Sequence, residues 1–147
     1  MKTLNVERSV RAPLESVWQL VSDVGNYAKY APNIDSSKIV SGEGVGLIRA
    51  CGSKEGRWQE FCTSWHDKDC YEFEIQTQAH DYPFPFKMLH GKWSVDPINT
   101  NHTIIRMKFD LEFKNKAVGW LLYPVMKIQF MKICEELLDN WQTALEI

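Results

Sequence analysis

No run in these 147 residues announces a metal, a phosphate or a nucleophile. The four histidines, His66, His80, His90 and His102, form no HExxH or CxxH arrangement, and Cys51, Cys62, Cys70 and Cys134 contain no CxxC pair. Without local ligand spacing of that kind, the expectation is no metal, no cofactor and four reduced, mostly buried thiols. Glycine and proline are sparse, at 8 and 6. The glycine-rich stretch Gly42-Glu43-Gly44-Val45-Gly46 lies between two strand patterns, so it reads as a turn and not as a dinucleotide cradle, which needs a strand before it and a helix after. Charge of one sign is also lacking. Seventeen basic against nineteen acidic residues leave a net charge of -2 and no field to gather a phosphate backbone, which points away from nucleic acid. Nowhere do about 18 apolar residues run together, and Met1 to Glu7 carry no signal-peptide stretch. A cytoplasmic protein with no integral membrane segment is expected.

Aromatic surface, by contrast, is plentiful: 12% of the residues, six of them Trp. It needs a core or a pocket to hold it. Leu4, Val6 and Val10 alternate with polar neighbours and predict a first strand over about 2–11. Pro13, then Leu14, Val17, Trp18 and Val21 at helical spacing, predict a helix to about Ser22, with a further short helical piece from Asn26 to Tyr30. Turn signals then cut the chain into six strands. Two of these declare one wet and one apolar face: Tyr71, Phe73 and Ile75 alternate with acids, and Ile105, Met107, Phe109 and Leu111 alternate with Arg106, Lys108 and Asp110. Finally Met126, Phe130, Ile133, Cys134, Leu137, Trp141 and Leu145 form one helical stripe, with Val118, Leu121 and Leu122 out of phase with it. Pro124 between the two sets predicts a bend or break there, followed by a main helix over about 125–146. The resulting fold class is α+β, a curved antiparallel sheet of about seven strands closed by a long C-terminal helix, in one domain over residues 1–147.

The order and the residues together resemble the START-like (SRPBCC, helix-grip) superfamily, in its polyketide cyclase/dehydrase and lipid-transport branch. The resemblance rests on Ala12-Pro13 with Val17-Trp18 and Val21, Asp23-Val24 with Tyr27, Pro32 and Ser37, Gly91-Lys92-Trp93, and Phe109 through Phe113 ahead of the long helix. Two stretches, Gly56 to Phe61 and Pro85 to Trp93, are similar to aromatase/cyclases. Asp23 to Tyr27 and Ser37 to Val40 are similar to coenzyme-Q-binding and ribosome-association-toxin members. The resemblance implies an internal pocket. It points Gln59, Phe61, Thr63 and Trp65 of the fourth strand inward, closes one end with Tyr27 and Ile34, and lines the next strand with Leu89 and Trp93. Phe73, Ile75, Met107 and Phe109, by their own alternation, and Met126 and Phe130, from the helical stripe, fill the same interior, as core or as pocket wall.

The expected partner is a small hydrophobic molecule, such as a lipid, an isoprenoid quinone or a polyketide, oriented by Thr63, Gln59 or an arginine. Polyketide aromatase/cyclase or dehydratase chemistry and a ribosome-association role are the alternatives. For the two arginines in reach, Arg57 is expected to point to water and Arg49 to pair with an acidic neighbour, since buried Arg is rare unless paired. Tyr82-Pro83-Phe84-Pro85-Phe86 is a stiff aromatic loop, read as a pocket lid, a point of transient membrane contact, or a loop folded onto the sheet end.

Overall fold

Period-two alternation builds a single sheet. A computed structural model describes residues 1–146 and contains seven strands: β1 (Lys2–Val10), β2 (Ser36–Ser41), β3 (Ile48–Gly52), β4 (Arg57–His66), β5 (Cys70–Ile75), β6 (Phe86–Asn99) and β7 (His102–Phe113). They lie in the order β1-β7-β6-β5-β4-β3-β2, and every neighbouring pair is antiparallel. Six of the strands follow one another through hairpins, while β1 crosses to pair with β7. Between β1 and β2 come helix α1 (Leu14–Val21) and a 3-10 helix (Val24–Lys29), and helix α2 (Lys116–Leu145) ends the chain. The architecture is the α+β one that the alternation predicts. The β2–β3 turn uses its glycines for backbone reasons, since Gly42, Gly44 and Gly46 have φ of 79°, 61° and 90°, where a Cβ is disfavoured.

One face of the sheet is apolar, and the helices cover it. Leu4, Val6, Met107, Phe109, Leu111, Trp93, Tyr71 and Phe73 are buried on that face, and α1 adds Val17, Trp18 and Val21. Burying a side chain of this size stabilises by roughly 1.5–3 kcal/mol, so the face holds the sheet and the helices together.

Helix α2 departs from the expected break. It runs unbroken for 30 residues, about 45 Å at 1.5 Å per residue, with Pro124 inside it. Asn115 starts it well before Pro124 by accepting hydrogen bonds from the backbone N–H groups of Ala117 (2.9 Å) and Val118 (3.1 Å). The carbonyl that Pro124 leaves without a helical donor is that of Trp120, and both residues are exposed, so water can serve it. The two halves of α2 differ in attachment. Within its second half Cys134, Leu137, Leu138 and Trp141 are buried, and Arg8 of β1 bonds Glu135 (2.7 Å), Asp139 (2.8 Å) and Gln142 (2.7 Å). Over residues 116–133 only Gly119 is buried, packed on the Phe113 ring so closely that a Cβ would stand 2.6 Å from it. No helix among the described residues is long and apolar enough to cross a membrane.

Candidate functional site

The concave face gathers an aromatic cluster around one buried ion pair. Tyr71 stacks on Trp65 (5.1 Å between centroids) and on Trp93 (5.4 Å), and Trp93 meets Phe109, Phe73 and Tyr27 edge-on at 5.3, 6.2 and 6.0 Å. Phe130 reaches down from α2 to Phe109 at 4.9 Å. Into this cluster β3 projects Arg49, only 1% exposed, and β4 projects Glu60, because the two are directly opposed in the β3–β4 register. The Arg49 guanidinium donates to the Glu60 carboxylate and to the Val24 carbonyl (3.2 Å), and lies 4.4 Å from the Phe73 ring and 4.7 Å from the Tyr27 ring. Glu60 accepts a second bond from Trp58 Nε1 at 2.8 Å. Burial by itself would lower the Arg49 pKa, but the adjacent Glu60 charge outweighs it and the pKa ends higher than usual. Burial pushes the Tyr27 and Tyr71 phenols upward, so both stay neutral.

Two donors in this cluster are left over. Among the described residues, neither Arg49 Nε nor Trp93 Nε1 has a hydrogen-bond partner, although both are fully buried. A buried donor without an acceptor costs roughly 1–3 kcal/mol, and the two lie against the same Tyr27 and Phe73 rings.

Most of the residues expected from sequence come together here. Phe73, Ile75, Trp93, Met107 and Phe109 are buried on the concave face, Ile34 is buried beyond the 3-10 helix, and Tyr27, Trp65, Leu89, Met126 and Phe130 are half-buried against the core. Gln59, Phe61 and Thr63 do not join them. Gln59 and Thr63 are exposed and Phe61 half-buried on the outer face, because Trp58, Glu60 and Cys62 take the inward parity of β4. A bulge between Cys62 and Ser64 then shifts the register, and only after it does Trp65 turn inward. Of the arginines, Arg57 is exposed and Arg49 is paired with an acid, both as expected, and the Arg49 pair lies in the core. Sequence reasoning names Arg49 but not its partner Glu60. The signal for Glu60 is its position opposite Arg49 across the Gly52–Gly56 turn, which fixes which residues of β3 and β4 face each other.

The Tyr82–Phe86 loop folds inward: Tyr82 and Phe86 are buried, and Tyr82 and Phe84 pack edge-on against Trp58. All four cysteines are buried and unpaired, with burial raising the Cys134 thiol to about 12. Of two surface depressions, one reaches Trp58, the donor to Glu60, and the other lies on the far side of the sheet. A trough of about 630 Å³ runs past Ser36, Lys38, Ala50, Gln59 and Gln76, and one of about 450 Å³ crosses the outer face past Glu7, Lys92 and Arg106.

On that outer face His90 sits between two carboxylates, Nδ1 2.6 Å from Glu74 and Nε2 3.0 Å from Glu72. Both ring nitrogens face acceptors, an arrangement that suits the doubly protonated ring. Burial lowers its pKa, yet the two carboxylates outweigh that and raise it above the ordinary histidine value of 6.5. The stabilisation is then fully present below 6.5 and lost as pH rises through the higher folded value. Urea midpoints of the wild type and His90→Gln, measured from mildly acidic to alkaline pH, are expected to differ most at the acidic end and to converge as pH rises.

A concave antiparallel sheet gripped by one long helix, with an aromatic cluster between them, defines the START-like helix-grip class. The chain belongs to the family described as polyketide cyclase/dehydrase and lipid transport, whose profile matches residues 1–146. It is similar to a ribosome association toxin, RatA, of Vibrio cholerae, at 25% identity over 98% of this chain and 92% of that protein. Solved structures share the fold, among them the following two. The Zhui aromatase/cyclase from a Streptomyces species superposes with a TM-score of 0.79 at 14% identity, over 99% of this chain and 93% of that one. A START superfamily protein from Mycobacterium smegmatis gives 0.77 at 16% identity, over 98% and 97%. Membership of this family supports a ligand-binding role.

Proposed function

We propose that this protein binds a small apolar molecule carrying a hydrogen-bond acceptor, held between the concave face and the first half of α2. The observation that carries the reading is the pair of unpartnered donors, Arg49 Nε and Trp93 Nε1, set among aromatic rings. The rings supply apolar contact along the body of the molecule, and the two N–H groups supply orientation. Lipids, isoprenoid quinones and polyketides all combine an apolar body with carbonyl oxygens. Arg49 suits the role because Glu60 already balances its charge, leaving a donor for a neutral carbonyl. The first half of α2, which buries little, is the element whose movement would admit the molecule.

The test uses delipidated protein and matched pairs of compounds, a carbonyl-bearing quinone or lipid against a hydrocarbon of similar size. Saturable binding with a thermal shift is expected for the carbonyl members. Trp93→Phe, which keeps a ring but removes its N–H, is expected to weaken that binding about three- to tenfold. Equal binding of both members of each pair, or none at all, would sink the reading.

A further inference from the structure

The first half of α2 carries a second apolar stripe that nothing in the fold covers. Val118, Leu121, Leu122, Val125 and Ile128 recur at helical spacing on the side turned away from the sheet, and they are 41–71% exposed. Trp120, 79% exposed, extends the arc about 80° beyond Ile128 around the helix. A helix apolar on its inner and outer faces alike is normally surrounded, and this one is surrounded on one side only.

Charge says what fits the other side. Every charged residue from Lys114 to Lys132 is a lysine, namely Lys114, Lys116, Lys127 and Lys132. Among the described residues none of the four has a carboxylate within salt-bridge distance. Every charged residue from Ile133 to Glu146 is acidic, and three of those four acids are bound to Arg8 or Arg11. The helix is thus basic and apolar where it buries little, and acidic where it is anchored.

We infer that the first half of α2 is a docking surface for an anionic lipid bilayer. Leu121, Val125 and Ile128 enter the headgroup–acyl boundary, Trp120 sits at its edge, and the lysines reach the lipid phosphates along their apolar stems. A second copy of the chain fits less well, because two such patches face to face would bring lysines against lysines. Nucleic acid fits less well too, since phosphate recognition has no use for a stripe of exposed aliphatic side chains.

Flotation with large unilamellar vesicles tests this on the full chain. Wild type is expected to rise with vesicles of equimolar phosphatidylcholine and phosphatidylglycerol and much less with phosphatidylcholine alone. Leu121→Gln/Val125→Gln/Ile128→Gln, with an unchanged melting temperature to show an intact fold, is expected to lose at least about tenfold in partitioning. Lys116→Gln/Lys127→Gln/Lys132→Gln is expected to lose the preference for the anionic vesicles. Wild type staying at the bottom with both vesicles, or the aliphatic variant floating as well as wild type, overturns the inference. So does a lipid-free dimer that the aliphatic variant dissolves, or co-sedimentation with ribosomes that depends on the same three side chains.

Discussion

Glu60→Ala is expected to destabilise the fold by about 3–5 kcal/mol, among the largest effects of any single substitution here. The change strands Arg49, which is 1% exposed and has only the Val24 carbonyl as a further acceptor, and it removes the acceptor of Trp58 Nε1. Arginine cannot escape by losing its proton, so the uncompensated charge must be carried or solvated by opening the core. The double variant Arg49→Leu/Glu60→Leu removes the charge and the acceptor together. It is expected to be clearly more stable than Glu60→Ala, because replacing both partners by apolar groups avoids the desolvation that a lone charge suffers. Urea unfolding of the two single variants and the double, read as a cycle, gives the coupling directly. A Glu60→Ala cost below about 1 kcal/mol, with no recovery in the double, would show that water reaches the pair. The double variant also separates stability from function, since it stays folded while losing the Arg49 donor, and its affinity for a carbonyl-bearing ligand is expected to fall with it.

Periodicity made most of this fold legible. The order of elements along the chain, the faces of β5 and β7 and the phase difference between Val118–Leu122 and the inner stripe of α2 all follow from turn signals and from which residues recur at two and which at three or four, whereas the pairing of β1 with β7 does not. The phase difference proved to be the more informative signal, because it marks the uncovered face of the helix. Pro124 misled as a break: its cost depends on whether the carbonyl one turn earlier can reach water, which spacing cannot say. Parity along β4 misled for a different reason. The bulge after Cys62 lets Trp65 face inward while Gln59, Phe61 and Thr63 face out, and a bulge leaves no mark in an alternating pattern. Arg49 reads from sequence as a paired arginine, while Glu60 taken alone carries no sign of being its partner. Only their opposition across the hairpin makes burial of either one tolerable.

Trp141 and Trp120 lie on the same helix, six turns apart at most, and the same substitution at each is expected to have opposite consequences. Trp141 is 1% exposed and meets the Tyr27 ring edge-on at 6.1 Å, tying the second half of α2 to the 3-10 helix. Trp141→Ala removes that contact and leaves a void in a part of the helix whose neighbours Leu137 and Leu138 are themselves fully packed, so a cost of about 3–5 kcal/mol is expected. Trp120 touches no core, and Trp120→Ala is expected to change stability by no more than about 0.5 kcal/mol. Thermal and urea unfolding of the two variants decides the matter. Comparable losses in both would mean that the first half of α2 is as firmly seated as the second, which would remove both the mobile element of the proposed ligand site and the free surface proposed for the bilayer. The expected asymmetry ties the two readings to one physical cause: α2 is fastened at the end where its apolar stripe and its acids meet Arg8 and Arg11, and buries little where lysines and outward-facing aliphatics replace them.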